Sequence, residues 1–275
     1  MTADYHGFSI TGSMNDIRDV SLHSGTENTK PETRVWGPWA TMGFGLVVGM
    51  TFIAAQALVV VAFIATKIIS DSTLNLLQIT ENLSSNGLLL ALAVFASAIV
   101  GVSLIVVFIK LRRNANIAEY LGLRPISKKS SFILLAITIG LIILLESISI
   151  FLVNPQNDEL MVEAYKTSVW PALLWIATVI FAPAFEETFF RGFLFVGLKQ
   201  SRIGSAGTII ITALTWTLLH IQYDIYGMTL ILILGIVLGI VRLQTGSLWS
   251  PLLIHSVWNL VAMVGTALYA SGLIS

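Results

Sequence analysis

The sequence predicts an all-α protein, a polytopic transmembrane helix bundle of about seven spans, and three observations predict it. The 275 residues are 56% hydrophobic and 11% charged, with a mean hydropathy of +0.86, far from the roughly half-apolar, quarter-charged norm of soluble domains. The apolar residues fall into seven runs at or near the ~20 residues that carry a helix across the hydrocarbon core. Lys and Arg collect in alternate connections between those runs.

Residues 1–35 are polar and rich in Gly, Ser, Thr and Asn, without the basic, apolar, small-residue order of a cleavable signal peptide. They are read as a disordered cytoplasmic tail, with His6 and His23 as solvated bystanders. Residues 36–118 hold two accessory transmembrane helices, over 39–69 and 87–109. Residues 119–275 hold the other five runs, over 132–153, 168–198, 206–221, 225–241 and 248–269.

Lys110, Arg112, Arg113, Arg124, Lys128 and Lys129 lie between the second and third runs with only Glu119 opposing them, so that connection is expected in the cytoplasm. Counting crossings puts Lys199, Arg202 and Arg242 on the same side. Asp71, Glu81, Asp158, Glu159, Glu163 and Asp224 fall on the other. The expectation is a multi-pass protein of the cell membrane with a cytoplasmic N-terminus. Trp36, Trp39, Trp170 and Trp249 lie near span ends, where indoles prefer the interface.

Lys+Arg 15 against Asp+Glu 15 gives no case for nucleic acid as a partner; the lipid bilayer is the partner that composition implies. With no cysteine there is no disulfide framework, no thiolate nucleophile and no Cys-ligated zinc.

The fourth run contains Phe181-Ala-Pro-Ala-Phe-Glu186-Glu187-Thr-Phe-Phe-Arg191-Gly192. Ionisable groups inside a spanning helix cost a few kcal/mol each and are usually kept for a site, a pathway or a partner. Helical spacing puts Glu187 and Arg191 on one face, where they pair as structural support. Glu186 points about 100° away, toward a neighbouring helix. Pro183 removes one helix hydrogen bond, so a kink that opens a polar pocket is expected there; the blander reading is that Pro and Gly are common in membrane helices.

His220 and His255 are the histidines of the later runs. Glu186 lies about seventeen residues before the turn at residues 202–204 and His220 about seventeen after it. At ~1.5 Å per residue they share one depth and can touch. His255 follows the turn at residues 245–247 and lies within several Å of that depth, with Asn259 four residues on along its face. Taken singly, each His is also a plausible packing residue and Asn259 interhelical glue. Glu146, in the third run, reads as a local hydrogen-bonding or substrate-path group.

A carboxylate facing a neutral imidazole in a low-dielectric pocket can hold a water and draw a proton from it. A second His with an Asn supplies donors where a carbonyl oxygen becomes an oxyanion. The set Glu186, His220, His255 and Asn259 thus fits amide hydrolysis by an activated water, with no cofactor or metal required. There is no Gly-x-Ser-x-Gly elbow and no His-Glu-x-x-His motif. Zinc held by Glu186, His220 and His255 is the second reading, ranked lower because Asn259, a poor zinc ligand, shares the His255 face. A non-catalytic immunity or scaffold protein is the alternative from outside enzymology.

Three ordered motifs, Glu186-Glu187-x-x-x-Arg191, Trp216-x-x-x-His220 and His255-x-x-x-Asn259, resemble those of the CPBP membrane peptidases, also called the ABI family, which include the type II CAAX prenyl endopeptidases. Glu119-Tyr-Leu-Gly-Leu-Arg124 resembles the stretch often found ahead of that domain, so the resemblance spans about residues 119–270. Trp216 stands where Phe is more usual. The resemblance implies an intramembrane glutamic endopeptidase in which Glu186 and His220 activate water while His255 and Asn259 form the oxyanion site. It implies a membrane-associated peptide or protein substrate, with prenylated chains among the candidates, and leaves that choice open.

Overall fold

The structure, a computed structural model, describes residues 33–70, 80, 83–152 and 159–274, without the side chains of 146 and 148–152. Most of the expected tail with His6 and His23, the loop acids Asp71, Glu81 and Asp158, and the Glu146 side chain lie outside the described residues.

Among the described residues every regular element is a helix: α1 (Pro38–Ser70), α2 (Gly87–Leu111), α3 (Ile117–Leu121), α4 (Lys128–Leu152), α5 (Glu159–Lys166), α6 (Pro171–Leu198), α7 (Gly204–Leu218), α8 (Ile225–Thr245) and α9 (Trp249–Ala270). Six of these are long and apolar enough to cross a membrane, and the apolar α7 is shorter. The bundle is therefore polytopic and all-helical, with the seven apolar runs present as seven helices. The fifth run corrects its expected bound. α7 ends at Leu218 and His220 falls in the turn that follows. Two short helices, α3 and α5, lie in connections that carry too few apolar residues to announce themselves by periodicity.

Local chemistry sets the boundaries. Asn86, Asn116 and Asp224 accept from the third backbone N–H beyond them, at 2.9, 3.1 and 2.7 Å, and so open α2, α3 and α8. Gly122 and Gly246, at φ +70° and +63°, close α3 and α8 in the left-handed conformation that only Gly adopts without steric cost.

α6 is the element the others wrap. Thr41, Gly45 and Val48 form the buried stripe of α1. A Cβ on Gly45 would sit 2.7 Å from Leu194, and one on Gly197 would sit 1.9 Å from the Thr41 hydroxyl, so α1 and α6 meet at backbone distance. Most of α1 otherwise presents large apolar side chains outward, among them Leu46, Ile53, Leu58 and Val61, as a lipid-facing helix should. Phe185 stacks on Phe52 of α1 with ring centroids 4.2 Å apart and fills the notch at Gly101 of α2. On the opposite side Gly235 and Gly239 let α8 close on Ala213, Trp216 and Ile209 of α7, the small-xxx-small contact by which membrane helices pack without a hydrophobic drive.

α6 contains two π-turns, Ala177–Phe181 and Thr188–Leu194, with Ala182–Glu187 between them. The break expected at Pro183 thus takes the form of a widened turn on its N-terminal side. Such turns recur at functional sites because they re-aim side chains and loosen the carbonyl ladder.

Candidate active site

The widened turns release backbone carbonyls, and side chains of other helices take them. Ala182 N–H bonds Ala177 O, five residues back, and so leaves Thr178 O. In the π register the next donor to Thr178 O would be Pro183, which has no N–H. Asn259 Nδ2, from α9, donates to Thr178 O at 2.9 Å instead. In the second turn Phe195 N–H bonds Phe190 O rather than Arg191 O four back, and Arg242 Nε of α8 donates to Arg191 O at 2.9 Å. Asn259 therefore has one amide N–H in a structural bond, the role its interhelical reading anticipates, and a second that makes no hydrogen bond among the described residues.

Between the two turns the acids and His255 converge. Arg191 Nη1 pairs with Glu187 Oε1 at 2.8 Å, both side chains fully buried, as the i, i+4 spacing predicts. The same oxygen accepts from His255 Nδ1 at 2.9 Å. Glu187 is thus not consumed by its arginine; it also fixes the ring of α9. With Nδ1–H directed at Glu187, the neutral His255 tautomer carries its lone pair on Nε2, which lies 3.8 Å from Glu186 Oε2. The two imidazoles are ordered differently from the expectation, because His255 is the one beside Glu186.

Glu186 is one-fifth exposed at its side chain. Its Oε2 accepts from the Trp216 indole N–H at 2.5 Å, and the Trp216 ring lies 4.8 Å from the Arg191 guanidinium carbon. Arg191 Nη2 donates to Gly235 O at 3.0 Å. Trp216 therefore links α6, α7 and α8. The signal for it was present in the sequence as a buried indole, whose N–H needs an acceptor.

His220 makes no hydrogen bond or ion pair with Glu186 among the described contacts. Its Nδ1 is 2.8 Å from Trp216 O, four residues back, which makes Nδ1 the protonated nitrogen and leaves Nε2 as a free base. It reaches the cluster through Trp216, whose ring stands edge-on to His220 at 5.2 Å and to His255 at 5.1 Å. The direct contact expected at equal depth is not made, because α7 ends one residue short of Leu219 and the chain turns before His220. Among the described residues no three His, Asp or Glu side chains are grouped as metal ligands.

Chemically the arrangement offers a half-buried carboxylate with one donor on it, an oriented imidazole beside it, a second imidazole with a free Nε2, and a carboxamide. Residues 168–261 match the model of a family described as type II CAAX prenyl endopeptidase Rce1-like. That segment contains all four of these groups, from Glu186 to Asn259. No curated protein and no solved structure matches the chain.

Proposed function

We propose, from the premise that residues 168–261 are a domain of the Rce1-like family, that this multi-pass membrane protein is an intramembrane endopeptidase using Glu186 to activate water. What supports the reading is the position of Glu186 in the middle of a spanning helix, held by the Trp216 N–H and 3.8 Å from His255 Nε2. An ionisable side chain kept there without a salt bridge to Arg191 is available for proton transfer.

In the proposed reaction a water oxygen bonds to the scissile carbonyl carbon as the Glu186 carboxylate takes its proton, with His220 Nε2 as second acceptor. The carbonyl oxygen becomes an oxyanion, met by the second N–H of Asn259 and, when its Nε2 also carries a proton, by His255. The C–N bond then breaks, and the proton held by Glu186 passes to the departing amine. Glu187 and Arg191 hold His255 in its tautomer. On this reading residues 119–275 form the peptidase part and α1 and α2 brace α6 from the lipid side. The substrate is a membrane-associated peptide or protein, and a prenylated C-terminal peptide is the first to try because the family's description includes prenyl endopeptidases.

The test uses purified full-length protein in detergent with prenylated and helical peptides in ¹⁸O-water. Cleavage should place one ¹⁸O in the new C-terminus, and E186Q should lower turnover by about 10²–10⁴-fold. Undiminished cleavage by E186A removes the mechanism. Loss of activity to a chelator, restored by zinc, replaces it with a metal-dependent one.

A further inference from the structure

Far from the carboxylates, the end of the bundle that collects Lys and Arg contains a cavity of about 230 Å³. Glu119, Tyr120, Arg124, Val196 and Arg242 are among its walls. It runs on into a second of about 340 Å³, which shares Val196 and Arg242 and adds Lys199. Val196 is ten residues past Glu186 on α6, so the cavity lies ~15 Å along the helix from the site above.

Among the described residues three cations therefore face this space against a single carboxylate, and that carboxylate is engaged. Glu119 accepts from the Thr33 hydroxyl. Among the described ion pairs none involves Arg124, Lys199 or Arg242. Arg242 is 7% exposed and among the described residues is anchored by neutral carbonyls, those of Arg191 and of Leu121, the second at 3.1 Å from Nη2. Two of its five N–H donors are thus used, and no carboxylate among the described residues pairs with it. Arg124 is close enough for the two guanidinium charges to repel.

The position is built rather than incidental. A Cβ at Gly122 would fall 2.5 Å from Arg242 Nη2, so the left-handed glycine clears the space the guanidinium occupies. Leu248 N–H bonds Gly122 O at 2.8 Å and Ser247 Oγ bonds Arg124 O at 2.5 Å, tying the α3 connection to the start of α9. A buried cation with only partial charges around it is costly, and an anion entering the cavity would offset that cost with charge-assisted, two-pronged hydrogen bonds. The cavity lies where α6 and α8 end, the level at which lipid phosphates sit, and basic pockets between spanning helices are headgroup sites.

We propose that this cavity binds the phosphate of an anionic phospholipid, held by Arg124 and Arg242 with Lys199 at its rim. The site is independent of the peptidase reading. A bound lipid would also touch the guanidinium that holds the Arg191 carbonyl, so occupancy would stiffen the second π-turn.

The test is native mass spectrometry and thermal unfolding of the full-length protein with phosphatidylglycerol, phosphatidylcholine or inorganic phosphate as probe. One phosphatidylglycerol should be retained in preference to phosphatidylcholine and should raise the unfolding midpoint. R124Q and K199Q, exposed at the rim, should each weaken retention by about tenfold while folding normally; R242Q should abolish it. Equal retention of phosphatidylcholine, or unchanged binding in both rim variants, overturns the proposal. Protection by inorganic phosphate without protection by phosphatidylglycerol overturns the lipid assignment.

Discussion

The Trp216 indole N–H lies 2.5 Å from Glu186 Oε2, joining the helix that carries the carboxylates to α7, the helix that leads into the turn holding His220. The bond is charge-assisted when Glu186 is ionised, and it holds the carboxylate away from the arginine one turn and a half further on.

Removing that N–H while keeping an aromatic ring isolates its contribution. W216F retains a ring between the two imidazoles but loses the donor, which is worth about 1.5–3 kcal/mol for a bond to a charged group. Turnover should fall by about ten- to a hundredfold, with the unfolding midpoint little changed. A W216F protein with wild-type turnover would show that Glu186 needs no such orientation.

The buried pair below it is a matter of stability. E187A leaves the Arg191 charge without its carboxylate and His255 Nδ1 without an acceptor, and should cost about 3–5 kcal/mol. Replacing both partners with apolar residues in E187L/R191M should be less destabilising than E187A alone, because no charge is left stranded. Thermal unfolding in detergent reads both, and the double variant should be inactive even where it folds, since His255 loses its anchor.

Asn259 and Pro183 are predicted to be coupled. N259A strips Thr178 O of its donor, at about 0.6–1.7 kcal/mol for an interhelical bond in a membrane protein. P183A restores a backbone N–H five residues beyond Thr178, so in that background N259A should destabilise less; a double-mutant cycle measures the difference. The loss of turnover in N259A should reach about 10²–10³-fold in both backgrounds if its second N–H meets the oxyanion. Activity that tracks stability alone would leave Asn259 as glue.

Tyr120, in α3 outside the spanning helices, is 1% exposed, and burial pushes its phenol above the ordinary value, against smaller opposing effects from its hydrogen bonds to Trp36 and Thr41 and the Arg112 charge. Its folded value thus exceeds its unfolded one near 10. The stabilisation is fully present below that unfolded value and is lost as pH rises through the folded one, because the unfolded chain releases the proton first. Unfolding midpoints should therefore decline above about pH 10, and more steeply in the wild type than in Y120F.

Much of the architecture was legible in the chain because lipid leaves little choice: a backbone that cannot hydrogen-bond to its solvent must form helices, and apolar runs reveal them. α1, α2, α8 and α9 start and stop within a few residues of where hydropathy puts them, and the Glu187–Arg191 pair follows from spacing alone. His220 was misplaced for the converse reason. Equal depth along ideal cylinders says nothing of where a helix stops, and α7 stops at Leu218.

By itself, then, the order of residues determined an all-helical membrane bundle, a buried ion pair and a set of polar groups gathered on α6, α7 and α9. Which of them touch was decided by tertiary structure. Two π-turns shift hydrogen bonds from four to five residues back and free single carbonyls, and Pro183 withholds a donor. Asn259 and Arg242 arrive to satisfy them, His255 is drawn to Glu187, and Trp216 reaches Glu186. The physical reason is that a released carbonyl in lipid must find a donor, and only the packed neighbours determine which donor is near.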